Sequence, residues 1–362
     1  MRQTRALFRN IGWICFALFL ISTGCKRKDT ATGTTTPPPG PSIADTYGYG
    51  ILKKINGIWN GPVTSTTPLG GYPQWIVDFR PISDNQVSAK NELDTLNKIF
   101  LSFFIVKYEN QYKVAFRNGG NFNGMQRVSY FVADSVSETS SSSFYRFAEA
   151  VKGKKRAYSN LIFRADSMYL YTYTNQSNTQ PNPTPHMTWS AKLQDSTSAQ
   201  NAIAHFSFPQ KNLTRDFTPA FASVAEAIYT ASSGPPPGDP YPDTVQPYLG
   251  KTTASFTFAP AYTPSASKKV LLMITTQPLF SGATFLSANL KYRSRYVILS
   301  AGNTSYTFTL MHPGTYYYYA IYDTSGTGTY SSGDWISTAN TTFTLAPLGT
   351  ATVSTQINFT IP

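Results

Sequence analysis

The side chains whose types and spacing could do chemistry are few, and the most ordered set runs from Asp323 to Asp334 (DTSGTGTYSSGD). Counting Asp323 as position 1, oxygen-bearing side chains fall at positions 1, 3, 5 and 9 (Asp323, Ser325, Thr327, Ser331), with Gly328 at 6 and Asp334 at 12. A calcium loop wraps one ion in that order, and its glycine makes the sharp turn. Ser325 and Thr327 stand where tight sites carry further carboxylates, and affinity follows ligand charge. A Gly/Ser turn closed without metal is therefore the expected form. Calcium held by Asp323, Ser325, Thr327 and Asp334 is the sharper reading.

Catalytic groups are scarce. His186, His205 and His312 stand apart in sequence, and no G-x-S-x-G elbow, H-E-x-x-H pair or phosphate-cradling glycine loop occurs. Asp78 with Asp134 or Glu138 could work as an acid/base pair only if the fold set the carboxylates across a cleft, about 5 or 9 Å apart. Binding rather than catalysis is the expectation.

Cys25 is the remaining reactive side chain. Arg2, Arg5 and Arg9 precede an apolar run from Ile11 to Ile21, which ends in Ser22, Thr23 and Gly24. That is the pattern of a secretory signal peptide, and the run is shorter than the roughly 20 apolar residues a spanning helix needs. The other cysteine, Cys15, lies inside the run, so the processed chain would hold no disulfide. Ser22-Thr23-Gly24-Cys25 resembles the lipobox of bacterial lipoproteins. The resemblance implies lipid attachment at Cys25, which becomes the mature N-terminus. Lys26 stands where an Asp would resemble an inner-membrane retention signal, so the outer membrane is the expected location, on either face.

About half of the formal charge of +12 belongs to the signal arginines and to Lys26, Arg27 and Lys28 beside the anchor. Basic residues there suit an anionic membrane surface, and no basic stripe or motif points to nucleic acid. The aromatic content of 15% against 13% charged residues, with abundant Ser and Thr, is a β-strand composition.

These elements must come from an all-β chain: an N-terminal antiparallel barrel or curled sheet with one short helix, then a C-terminal β-sandwich. The expected division is a signal peptide over 1–24, anchor and Pro/Thr-rich tether over 25–46, a barrel-like domain over 47–231, a Pro-rich linker over 232–248 and a sandwich over 249–362. The linker rests on six prolines between Ser232 and Pro247, which neither a helix nor a central strand can absorb. In the first domain Trp75, Val77 and Phe79 alternate on one face. Ile99 to Tyr108 turns at Glu109-Asn110-Gln111 into Tyr112 to Phe116, and a further turn is expected at Asn118-Gly119-Gly120. Val128, Tyr130 and Val132 make another face. Leu161 to Arg164 and Met168 to Tyr173 flank a turn at Ala165-Asp166, and Met187, Trp189, Ala191 and Leu193 alternate later. Asp216 to Tyr229 changes to helical period, with Phe217, Phe221, Val224 and Ile228 on one side.

Gly57-x-Trp59 on the first strand, with a barrel-like strand count behind it, resembles the opening of lipocalin-type barrels. The resemblance implies that Trp59 closes the bottom of the barrel and that a small apolar ligand enters the open end. A buried core position for Trp59 in another kind of sheet is the equal alternative. Trp59, Trp75, Tyr130 and Trp189 are the expected lining residues for a glycan or small apolar ligand. The rival is a structural or adhesive component with a solid first domain and an envelope protein as partner.

The second domain reads as short strands at regular spacing: Ser255–Phe258, Val270–Thr275, Leu286–Tyr292, Tyr296–Leu299, Tyr306–Met311, Tyr316–Tyr322, Thr341–Leu345 and Val353–Ile361. The spacing resembles immunoglobulin- or transthyretin-like sandwiches. Tyr316 to Tyr319 should form a central strand buried on both faces, with an exposed glycan-stacking face as the sharper alternative.

Overall fold

Strand alternation dominates the chain. In the computed structural model residues 40–66, 74–79, 98–108, 110–122, 125–149, 157–173, 182–195, 197, 249–265, 267–328 and 330–361 are described. Residues 41–362 form one compact unit. Cys25, the tether as far as residue 39, the helical period at 216–229, His205 and the Pro-rich stretch lie outside the described residues. The end of the expected tether belongs to the folded body instead, because Ile43–Asp45 forms a 3-10 turn and Ile43 is buried in the core.

The first half is a single antiparallel sheet of nine strands: β1 (Ile58–Ser65), β2 (Gln74–Asp78), β3 (Lys98–Tyr108), β4 (Gln111–Phe122), β5 (Met125–Glu138), β6 (Ser143–Glu149), β7 (Tyr158–Arg164), β8 (Ser167–Tyr173) and β9 (Met187–Leu193). Their order is β2-β1-β9-β8-β7-β6-β5-β4-β3. The sheet is curled and open, with β2 and β3 as its edges. Period-2 patterning sets its faces: Leu161, Phe163, Met168, Leu170, Met187, Trp189 and Ala191 all point into the core. Helix α1 (Gly50–Lys54) and the residues around it fill the concave side with Ile43, Ile51, Leu52 and Ile55.

Two short turns fix the hairpin registers. Tyr108 pairs with Gln111, and Asn110 between them takes φ +60, which an Asn side chain tolerates. Arg164 pairs with Ser167, and Ala165 between them sits at φ +49. The turn expected at Asn118-Gly119-Gly120 is absent. Those residues continue β4 and pair on both sides, Asn118 with Leu101 and Ser129, and Gly119 with Phe100 and Val128. Two neighbouring strands supply every ladder bond there, which overrides the local turn chemistry of Asn-Gly-Gly.

The second half contains β10 (Gly250–Phe258), β11 (Val270–Thr275), β12 (Phe280–Ser281), β13 (Thr284–Phe285), α2 (Ser287–Tyr292), β14 (Ser294–Leu299), β15 (Ser305–Met311), β16 (Gly314–Tyr322), β17 (Trp335–Ile336), β18 (Thr341–Leu345), β19 (Thr350–Ile357) and β20 (Phe359–Thr360). A sheet in the order β15-β10-β19 packs on one in the order β14-β11-β16-β17-β20, with β18 also paired to β16. The far side of the larger sheet is covered as well, because Leu271, Met273, Tyr319 and Ile321 form a second cluster with Leu279, Ile336 and Leu290 of α2. Burial on both faces explains why β11 reads as an apolar run, VLLMI, closed by Thr275 and buried at every position.

Two expectations change here. Leu286–Tyr292 is not a strand: Ser287–Tyr292 is helix α2, closed by Arg293 N–H donating to Asn289 O at 2.9 Å. Ala288, Leu290 and Lys291 are good helix formers, and Leu290 turns onto the second cluster. The run Val353–Ile361 is broken at Asn358, so β19 belongs to the three-stranded sheet and β20 to the larger one. Tyr316 to Tyr319 does form a central strand. Tyr316, Tyr318 and Tyr319 are fully buried, which leaves no exposed stacking face on β16.

The halves meet through specific bonds. Tyr112 Oη donates to Pro313 O at 2.8 Å, and His312 Nε2 donates to Ile105 O at 2.7 Å. The Arg293 guanidinium lies 3.2 Å from the centroid of the Tyr49 ring and donates to Ala44 O at 2.9 Å. One hydrophobic cluster runs through both halves.

Candidate functional site

The tryptophans expected to line a cup are core residues. Trp59, Trp75 and Trp189 are at most 3% exposed. Trp59 Nε1 donates to Ile55 O at 2.8 Å and Trp189 Nε1 to Gly61 O at 3.1 Å. Trp75 and Trp189 pack with ring centroids 5.8 Å apart, and Trp59 meets Phe163 edge-on. Further along the concave side Phe103 stacks on Phe116 at 4.9 Å and contacts Phe79 and Phe147. Trp75 Nε1 is buried without a hydrogen-bond partner among the described residues. Tyr130 stands on β5 opposite Arg117 of β4; its side chain lies outside the described set.

In the loop from Asp323 to Asp334, both carboxylates are buried. Asp323 Oδ1 accepts from Gly326 N–H at 2.6 Å and from the Ser325 hydroxyl at 3.0 Å, and Oδ2 accepts from Gly328 N–H at 2.8 Å. Asp334 Oδ1 accepts from the Thr324 amide and hydroxyl, and Oδ2 from Ser331 N–H at 2.7 Å. Thr327 Oγ1 bonds Ser325 Oγ at 2.8 Å. Gly326, Gly328 and Gly333 supply the positive φ angles. The acceptors that the spacing would offer an ion are thus directed at the loop's own donors. Burial pushes the Asp323 carboxyl up, but the Gly328 amide, the Ser325 hydroxyl and the Gly326 amide outweigh it and hold the group below its ordinary range.

Among the described side chains the catalytic candidates do not come together, and those of Asp78 and His205 lie outside the described set. His186 Nδ1 bonds Thr66 Oγ1 at 2.7 Å on the surface, His312 is buried, Asp134 is paired with Arg146, and Glu138 accepts from the Tyr145 hydroxyl. Among the described residues no three His, Cys, Asp or Glu side chains cluster as metal ligands.

The convex side of β6, β7 and β8 carries a different arrangement. Cross-strand pairing lines up Phe144, Ile162 and Tyr169 in one row, Arg146, Asn160 and Tyr171 in the next, and Ala148, Tyr158 and Tyr173 in the third. The inward partners of these residues fill the core, so the pleat turns the rows outward. Tyr169, Tyr171 and Tyr173 follow one another at every second residue of β8, roughly 7 Å apart, and all are half-buried. Tyr158 and Tyr173 stack with centroids 4.3 Å apart and 13° between planes. Burial, with the Tyr158 ring beside it, raises the Tyr173 phenol, and an Asn160 side-chain hydrogen bond partly offsets this. Asn160 Oδ1 is buried without a partner among the described residues. The face thus sets tyrosine rings and hydroxyls beside an amide and a guanidinium, side chains whose chemistry can contact both apolar faces and polar edges of a molecule.

Sequence reasoning passed over this face. The signal was present in SMYLYTY, where Tyr169, Tyr171 and Tyr173 alternate with Met168, Leu170 and Thr172, yet the pattern alone does not say which set faces solvent.

The fold defines an all-β protein with a curled nine-stranded sheet joined to a sandwich. No known family model matches the chain, and no curated protein matches it.

Proposed function

We propose that this chain is a lipid-anchored cell-envelope protein that binds a glycan on the convex face of β6–β8. The observation that carries the reading is the tyrosine array of β7 and β8, held on a rigid sheet with its hydroxyls and the Asn160 amide beside the rings. Sugars present apolar C–H faces and hydroxyl edges, which such a surface can match together. The attachment at Cys25 places the body on the outer membrane in this reading, and Lys26 rather than an acidic residue follows the anchor.

Affinity electrophoresis through gels containing individual soluble polysaccharides tests it. The body from residue 41 onward should be retarded by at least one polysaccharide, and Tyr169→Ala with Tyr171→Ala should abolish retardation while the protein still unfolds in one cooperative transition, its melting temperature lowered only modestly by the lost cross-strand contacts. Unretarded migration in every gel, or retardation that survives the double substitution, removes the proposal. Capture of an envelope protein through the same tyrosines would favour the adhesive alternative.

One observation favours a second reading, a small ligand on the concave side: the unpartnered indole N–H of Trp75. Native mass spectrometry of protein purified from an envelope extract would show a retained mass if that is so.

A further inference from the structure

Strand β5 carries one residue more than β6 where the two pass Arg146. Ala133 pairs with Phe147 and Ser135 with Arg146, so Asp134 and Ser135 together oppose a single residue. Such a bulge re-aims a side chain, and here it sets the Asp134 carboxylate against the guanidinium. Arg146 Nε donates to Oδ1 at 2.8 Å and Nη2 to Oδ2 at 3.0 Å. The pair is solvent-facing, with side chains 44% and 33% exposed.

Arg146 is the single cation within the rows of β6, β7 and β8 that hold the tyrosines. Beyond the Tyr169 end the rim carries Arg164 and the Lys192–Asp166 pair at 2.9 Å. An unpaired arginine in the middle row would offer its planar fork to any carboxylate lying on the tyrosines. Asp134 occupies that fork. An acidic sugar must then either displace Asp134 or lie beside its negative charge, whereas a neutral sugar meets no such penalty.

We infer that the bulged Asp134 is a specificity-determining residue, which cancels Arg146 and restricts the tyrosine face to neutral polysaccharides over polyuronates. The inference rests on the glycan-binding reading and adds the class of glycan.

The experiment measures binding of the body to neutral polysaccharides (glucan, mannan, xylan) and to polyuronates (alginate, pectate) at low and high salt. Wild-type protein should bind within the neutral set and bind polyuronates at least several-fold more weakly. Asp134→Asn should raise polyuronate affinity roughly tenfold, as befits a freed charge-assisted hydrogen bond, and salt should suppress the gain. Arg146→Gln added to Asp134→Asn should leave the face neutral and return polyuronate binding to the wild-type level, whereas Arg146→Gln alone leaves the Asp134 charge uncompensated and should weaken polyuronate binding further. Equal wild-type affinity for both classes, or no change in Asp134→Asn, overturns the inference while leaving glycan binding in place. Wild-type protein that binds neither class overturns the glycan reading and this inference with it.

Discussion

His312, from the segment between β15 and β16, donates its Nε2 proton to the backbone carbonyl of Ile105 on β3, 2.7 Å away and 207 residues earlier in the chain. The imidazole is fully buried against the Tyr112 ring. Burial first, with Arg295 and Lys107 acting in the same direction and the Ile105 bond opposing, lowers its pKa to about 4. The unfolded chain, with an ordinary imidazole near 6.5, binds more protons than the folded one between those values. Stability from keeping His312 neutral is therefore complete above pH 6.5 and is lost as pH falls toward 4, by about 2–4 kcal/mol. Urea unfolding at pH 7, 5.5 and 4.5 should show the decline, and His312→Gln should flatten it. An unchanged pH slope in that variant would count against the assignment.

Ala165 and Leu348 hold left-handed backbone at φ +49 and +55, and Leu348 is 70% exposed. A Cβ is unfavourable there, and neither side chain brings compensating burial. Ala165→Gly and Leu348→Gly should each raise stability, or at worst leave it unchanged, by up to about 1 kcal/mol. The denaturant midpoint reads the effect directly.

Trp189 and Gly61 are joined by the indole N–H donating to the Gly61 carbonyl, and a Cβ on Gly61 would lie 1.8 Å from Ser190 O. Gly61→Ala should force β1 away from β9, with a clear fall in melting temperature. Trp189→Ala should cost about 3–5 kcal/mol as a large core deletion. Loss of any binding in Trp189→Ala should therefore track loss of fold, whereas the Tyr169/Tyr171 variants should separate the two.

Asp323 closes its loop by accepting from two glycine amides and a serine hydroxyl. Its folded pKa is depressed, so its contribution is present above the ordinary carboxyl value and disappears as pH falls through the lowered one. Asp323→Ala should destabilise by about 1–3 kcal/mol, because it removes the charged acceptor shared by two amides and a hydroxyl. Since the carboxylates already serve the loop, a chelator should leave the thermal midpoint of wild-type protein unchanged. A calcium-dependent rise would restore the metal reading.

Much of the fold was legible because strand faces follow a period of two. The runs LIFR and MYLYTY, the return at Ala165-Asp166, the strand of Trp189 and the central Tyr316–Tyr319 strand all read correctly from local pattern. Misreadings arose where distant chain supplied the partners. Asn118-Gly119-Gly120 has turn chemistry but finds β3 and β5 on either side. The Leu286–Tyr292 run alternates apolar residues as a strand would but forms a helix, which sets Leu290 on the second cluster and Tyr292 on the main core.

The site divides in the same way. Sequence by itself determined the chemistry at hand: tyrosines in alternation, a carboxylate at each end of a glycine-rich loop, no nucleophile beside a base, and a cysteine in a lipobox-like context. Tertiary structure decided what faces outward. Packing buried Trp59, Trp75 and Trp189 on the concave side and left Tyr169, Tyr171 and Tyr173 half-exposed on the convex one, because the chain covers the convex face only in part: Phe104, Val106, Ala115 and Val132 are buried there, whereas the tyrosines of β8 are not. It also set Asp134 against Arg146 through a one-residue bulge, a pairing fixed by the register between two strands rather than by either strand's composition.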